Sequence, residues 1–89
     1  MKVSILREDN FVYGNGEPFQ IDCSSLPSNI HAIQWYGDAS NPFGEIEFVA
    51  DENNHREPNQ IINDFSPYQF LFDEWLEKKQ ISDLAKANK

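Results

Sequence analysis

Apolar and polar residues alternate with a period of two in two runs, Ile30 to Tyr36 and Gly44 to Phe48, and recur at three- and four-residue spacing in a third, Tyr68 to Trp75. Period two places successive side chains on opposite faces of a strand, and the Gly, Asp, Asn and Pro residues between the first two runs predict a β-hairpin over about 30–49. In its first strand His31, Ile33 and Trp35 share one face and Ile30, Ala32, Gln34 and Tyr36 the other. Both faces carry apolar groups, the pattern of a central strand covered at least in part on each side. In the second strand Ile46 and Phe48 point to a core while Glu45, Glu47 and Val49 point to water. The rest of the chain is expected to pack on this hairpin.

Ahead of it, Lys2 to Leu6 and Phe11 to Tyr13 form a first hairpin around Asp9-Asn10, and Gly14-Asn15-Gly16-Glu17-Pro18 forms a second turn before a short strand over Phe19 to Asp22. Ser24 to Asn29 is an aperiodic connector. After the hairpin, Asp51 to Pro58 has no apolar residue and reads as a surface loop, and Asn59 to Asn63 adds a short third strand. A helix over about 66–79 follows, with Ser66 as cap, Pro67 at its first position, Gln69 completing a capping box, and Phe65 and Phe70 as a hydrophobic staple. Tyr68, Leu71, Phe72 and Trp75 make its apolar stripe, to be laid across the inner sheet face. Ile81 and Leu84 fall on the opposite side of the same helical period. Either the helix ends near Lys79 or Gln80, or it continues and offers Ile81 and Leu84 to something else.

These elements predict one small α+β domain over residues 1–89: an antiparallel sheet with one C-terminal amphipathic helix on one face. Short N-terminal strands occupy 1–22, the hairpin and short strand 23–65, the helix 66–80 and a tail 81–89. A chain of this length buries only about two thirds or less of its extended surface, which leaves little room for a deep cleft. Seven basic against 15 acidic residues give a formal net charge of -8, which opposes approach to a phosphate backbone or an anionic membrane, so neither nucleic acid nor membrane is an expected partner. The aromatic fraction of 13% supplies enough large rings for the chain to fold. Cys23 is the only cysteine and reads as a small buried thiol. Glu8 and Asp9 interrupt the place where a signal-peptide core would run, and no span of about 20 apolar residues occurs. A cytoplasmic location follows as an expectation.

Candidate chemistry is sparse. His31 lies on a strand beside Ile33, and His55 lies in a polar loop without a partner at ligand spacing, so no metal or other cofactor is expected. Asp51-Glu52-Asn53-Asn54 lacks the central Gly and terminal Glu of a calcium loop. Glu45 and Glu47 stand roughly 7 Å apart on one strand face, a carboxylate spacing that inverting glycosidases use. Any strand with two alternating glutamates matches it, and nothing in the sequence builds a sugar cleft around them. No catalytic residue is assigned. Trp35 and Tyr36 point to opposite faces, so only one of the two rings can lie under the helix, and the other is either plain sheet surface or a partner contact.

The ordered combination of Cys-Ser-Ser-Leu-Pro (23–27), Ile-His-Ala-Ile-Gln-Trp-Tyr-Gly (30–37), Gly-Glu-Ile-Glu-Phe (44–48), Pro-Asn-Gln-Ile-Ile (58–62) and the Ser-Pro-Tyr-Gln helix start resembles a group of short bacteriophage and prophage proteins encoded among tail and tail-fibre genes. The loops at 38–43 and 51–57 are longer than the usual pattern of that group. The resemblance implies a non-enzymatic protein of the tail, baseplate or fibre apparatus, or its assembly factor, located in the virion tail or in the host cytoplasm during assembly. Its partner would be a larger tail or fibre protein, with a homo-oligomer as a further candidate, and the partner-binding residues would be Trp35, Tyr36, Glu45, Glu47, Ile81 and Leu84. The alternative is an acidic inhibitor of a host protein that mimics nucleic acid through Glu45, Glu47, Asp51 and Glu52.

Overall fold

A computed structural model describes residues 2–37, 40 and 42–87. Asp38, Ala39 and Asn41 of the expected hairpin loop and residues 88–89 of the expected tail lie outside the described residues. The strands are β1 (Lys2–Leu6), β2 (Phe11–Gly14), β3 (Glu17–Gln20), β4 (Ile30–Tyr36), β5 (Gly44–Phe48) and β6 (Gln60–Ile62), followed by a 3-10 turn (Ser66–Tyr68) and one helix, α1 (Gln69–Ala87). All neighbours pair antiparallel in the order β3-β2-β1-β4-β5-β6. The architecture is the expected α+β sheet-plus-helix, but the sheet is larger than a hairpin. Its centre is the β1–β4 pair, and the predicted hairpin β4–β5 forms only one half.

The turns explain the first half. Asn10 takes φ 55°, and Asn15 and Gly16 take φ 49° and 85° between the paired Gly14 and Glu17. An Asn-Gly pair with positive φ at both positions is the two-residue hairpin turn whose twist matches the flanking strands. That tight turn starts β3 at Glu17, two residues before the expected Phe19, and Ile21 already leaves the strand to enter the core. The connector 21–29 then crosses from the sheet edge to its centre over the inner face, burying Ile21, Cys23 and Leu26. The β1–β2 turn holds it there: Asn10 Oδ1 accepts the Cys23 N–H at 2.9 Å, and Arg7 Nε–H donates to the Leu26 carbonyl at 2.9 Å.

Strand β4 departs from strict alternation at one residue. The register slips between Ile30 and Ala32, so His31 bulges outward and Ile30 turns into the core beside Ile33. The expectation that His31 shares the inner face with Ile33 and Trp35 is corrected by this bulge, which adds one residue to the strand and re-aims the residue before it.

The helix starts differently from its predicted cap. Ser66 does not cap; Asp64 accepts both the Ser66 N–H and its hydroxyl at 2.9 Å, and a 3-10 turn precedes α1. Gln69 donates to Asp73 at 3.0 Å rather than reaching back, and Phe70 is exposed while Phe65 is buried, so neither capping box nor staple forms. Asp64 is a short side chain two residues before an N–H, an Asx turn that competes successfully with the cap. The stripe is as expected: Leu71 and Trp75 are buried, with Tyr68 and Phe72 packed against them. Instead of ending near Lys79 or Gln80, the helix continues through Ala87, supported by the Lys79–Asp83 pair at 3.2 Å and by helix formers at 84–87. Ile81 and Leu84 thus lie on a helix.

Trp75 fixes the helix on the sheet. Its ring stacks on Phe72, meets Phe19 edge-on, and lies against the bare backbone of Gly14, where a Cβ would fall 2.6 Å from Cζ2. Its indole N–H donates to the Glu17 carbonyl at 2.8 Å. Gly14→Ala is therefore expected to destabilise the protein by about 1–3 kcal/mol through overpacking. Urea unfolding checks this, and in a Trp75→Phe background the cost of the added methyl should shrink.

Candidate functional site

With the helix and connector on one side, the ladder pairing decides what the other side presents. Ser4 lies opposite Tyr13 on one flank and Gln34 on the other, Leu6 lies opposite Phe11 and Ala32, and Lys2 lies opposite Tyr36. These residues share the face that no helix covers. Val3, Ile5, Val12 and Ile33 between them fill the core on the other face. The strands thus bury one set and display the second.

The displayed set forms a shallow groove of about 280 Å³ lined by Lys2, Ser4, Leu6, Tyr13, Gly16 and Gln34. At its floor the Ser4 hydroxyl donates to Gln34 Oε1 at 2.5 Å, which pins the glutamine between the two central strands. Phe11 and Tyr13 stand 6.4 Å apart at one end. At the other, Tyr36 packs on Phe43 with ring centroids at 5.0 Å, and the Lys2 ammonium lies 5.7 Å from the Tyr36 centroid. Such a groove lies at the lower end of the roughly 300–1,000 Å³ of small-molecule pockets and has room for one large side chain of a partner.

The β5 and β6 half of this face is acidic. Glu45 lies opposite Gln34 and Ile61, and Glu47 lies opposite Ala32. Among the described residues no basic side chain forms an ion pair with either glutamate. Ile61 beside them is 57% exposed. Tyr36, Glu45 and Glu47 are therefore brought to one surface. Trp35 goes elsewhere: it lies on the helix side, stacked on Phe65 with centroids 5.3 Å apart and pressed against Gly44. One ring of the Trp35-Tyr36 pair lies under the helical segment and one outside, as the alternation requires. Ile81 and Leu84 are 60% and 57% exposed on α1, on the far side of the molecule from the uncovered sheet face. The six named residues do not form one site.

Tyr13, Leu6 and Ser4 belong to the displayed surface but carry no signal that singles them out in the sequence. Their alternation with Val12, Ile5 and Val3 was readable, but it assigns faces only once β1 is known to lie beside β4.

The remaining chemistry is structural. Among the described residues no group of three His, Cys, Asp or Glu side chains is placed to hold a metal ion. Burial, reinforced by the Asp22 and Glu74 carboxylates and only partly offset by Arg7, pushes the Cys23 thiol up to about 11. It donates to the Ile21 carbonyl at 3.2 Å. The Asp22 and Asp64 carboxyls are held below their ordinary values by hydrogen bonds from Ser24 and Ser66. The Lys79 ammonium is held above its ordinary value by Glu17 first and Asp83 second. No helix among the described residues is long and apolar enough to cross a membrane. Comparison with protein-family models, curated proteins and solved structures gives no match.

The thiol yields a test of this core. A folded-state value of about 11 against 9.0 for a free thiol means the native state keeps its proton longer than the unfolded chain. The stabilising contribution is complete below pH 9 and is lost as pH rises towards 11. Thiolate absorbance should therefore titrate near 11 in the native protein and near the free-thiol value in urea. The alkaline loss of stability should be smaller in Cys23→Ala.

Proposed function

We propose that this is a non-enzymatic, tail-associated bacteriophage protein, either a small structural component of the tail, baseplate or fibre apparatus or an assembly factor for it. It docks on a larger tail protein through the uncovered face of its sheet. The observation that carries the docking part is the groove between Tyr13 and Gln34, flanked by half-buried rings on a face that no other element of the described chain covers. A single large side chain in such a groove, ringed by contacts that exclude water, is how compact interfaces concentrate their energy. The viral setting rests on the resemblance of the ordered segments from Cys23 to Gln69 to proteins encoded among tail genes.

The acidic half of the same face suits a partner with basic side chains opposite Glu45 and Glu47, since complementary charge accelerates encounter and fixes orientation. Trp35 is outside the docking set because its ring is committed to Phe65.

Quantitative mass spectrometry of gradient-purified particles, from a phage that encodes this chain, tests the proposal. Fixed stoichiometry with tail proteins supports a structural component. Absence from particles, with a tail protein recovered on the chain from infected lysate, supports an assembly factor. Recovery of a basic host nuclease or polymerase instead, weakened steeply by salt and competed by DNA, would overturn it in favour of an acidic inhibitor. Tyr13→Glu and Tyr36→Ala are expected to reduce recovery of the tail partner about tenfold or more while leaving the circular dichroism spectrum unchanged.

A further inference from the structure

The two edges of the sheet are finished differently, and the difference points to a second mode of contact. In β3 the outward-facing residues are Pro18 and Gln20, because the Ile21 N–H bonds inward to the Asn10 carbonyl and antiparallel pairing alternates from there. Pro18 has no N–H to offer, and the Gln20 carbonyl already receives the Lys78 ammonium. Trp75 and Lys79 cover the adjoining Glu17 through its carbonyl and its carboxylate, the latter at 2.7 Å. Proline and lysine at an edge are recognised means of blocking strand addition.

Strand β6 has none of these. The Tyr36 N–H bonds to the Phe43 carbonyl at 2.9 Å, so Gly44 and Ile46 of β5 aim their backbone groups at Ile62 and Gln60. The N–H and C=O of Ile61 are then the groups directed away from the sheet, and among the described residues no hydrogen bond reaches them. An outward N–H and C=O beside an exposed isoleucine is a template for one class of occupant, an extended polypeptide.

Charge chooses among extended polypeptides. Residues 44–66 hold Glu45, Glu47, Asp51, Glu52, Glu57 and Asp64 against one arginine, Arg56. Glu45 lies directly opposite Ile61 across the β5–β6 ladder. A second copy would set this acidic edge against its like in a chain of net charge -8. A segment alternating basic and apolar residues would instead bring positive charge to this acidic edge, on the face of Glu45 when a basic residue lies opposite Ile61. We propose that β6 accepts an extended basic segment of the partner as a seventh, antiparallel strand. The proposal rests on the docking reading above for the existence of a larger partner.

The probe is a blocked seven-residue peptide of alternating lysine and valine, compared with one of equal charge carrying proline at its central valine and with one of alternating glutamate and valine. The readout is amide hydrogen exchange by NMR at 60–62. The lysine-valine peptide is expected to slow exchange of the Ile61 amide at least tenfold, and the other two to leave it unchanged. Ile61→Pro removes the outward N–H and with it the Ile61 probe, so in this variant the readout is the Gln60 and Ile62 amide shifts, which the lysine-valine peptide should move in the parent chain and leave unmoved in the variant. Equal binding of the proline peptide, protection confined to Tyr13 and Tyr36, no protection by any peptide, or an Ile61 amide already protected by a dimer that dissociates on dilution would each overturn the proposal. Because this experiment uses the chain alone, its failure leaves the particle stoichiometry test standing, and the reverse also holds.

Discussion

The contact between the Trp75 ring and the backbone of Gly14 sets the geometry of this fold. A helix with only two fully buried side chains, Leu71 and Trp75, has little apolar area with which to choose its position on a sheet. The indole compensates by specificity. It needs a flat gap in the sheet, which Gly14 alone provides next to Phe19, and it needs an acceptor for its N–H, which the Glu17 carbonyl provides immediately across the Asn-Gly turn. Both partners sit at the β2–β3 hairpin. The helix therefore lies over that half of the sheet, and the connector 21–29 and Phe65 complete the cover over the rest.

This placement has consequences at both edges. Of the side chains that anchor the helix to β3, Lys78 occupies the outward Gln20 carbonyl, while Trp75 and Lys79 hold the Glu17 carbonyl and carboxylate beside it. Closing the β3 edge is thus a by-product of positioning the helix. At the other end the chain passes from β6 through Asn63 and Asp64 directly into the helical segment, and nothing among the described residues returns to cover Ile61. One anchoring choice makes the sheet asymmetric, with a blocked edge, an open edge and an open face.

Much of this was legible in the residues. The alternation of Ile30 to Tyr36 and Gly44 to Phe48, the Asn15-Gly16 turn and the Tyr68 to Trp75 stripe each carry their own local signal, and each forms the element expected. What failed were features where a competing local contact or a distant pairing overrode the first signal. Ser66 reads as a cap until Asp64 competes for its N–H and hydroxyl. His31 reads as an inward residue until a bulge against β5 releases it. The helix end reads as a break in period, but a break in period ends only the buried stripe; Asp83, Ala85 and Lys86 carry the backbone on without burial. Of the expected partner residues, Glu45 and Glu47 share a face through alternation within one strand, whereas Tyr36 joins them only through the β4–β5 register. Tyr13 and Ser4 depend on the β1–β4 pairing, which no local pattern announces.

Two surfaces carry exposed apolar groups, and they are not equivalent. On α1, Phe70, Leu76, Ile81 and Leu84 are exposed, but Asp73, Glu74 and Glu77 are interleaved with them and no two of the four except Ile81 and Leu84 are three or four residues apart. Singly scattered apolar residues on a helix are ordinary surface. On the sheet, by contrast, the groove joins Leu6 and Tyr13 across adjacent strands, its floor is organised by the Ser4–Gln34 hydrogen bond, and Tyr36 is held by Phe43 and Lys2. Side chains already ordered by their neighbours lose less entropy when a partner arrives. Pre-organisation, more than the amount of exposed apolar area, makes the uncovered sheet face the stronger candidate for recognition.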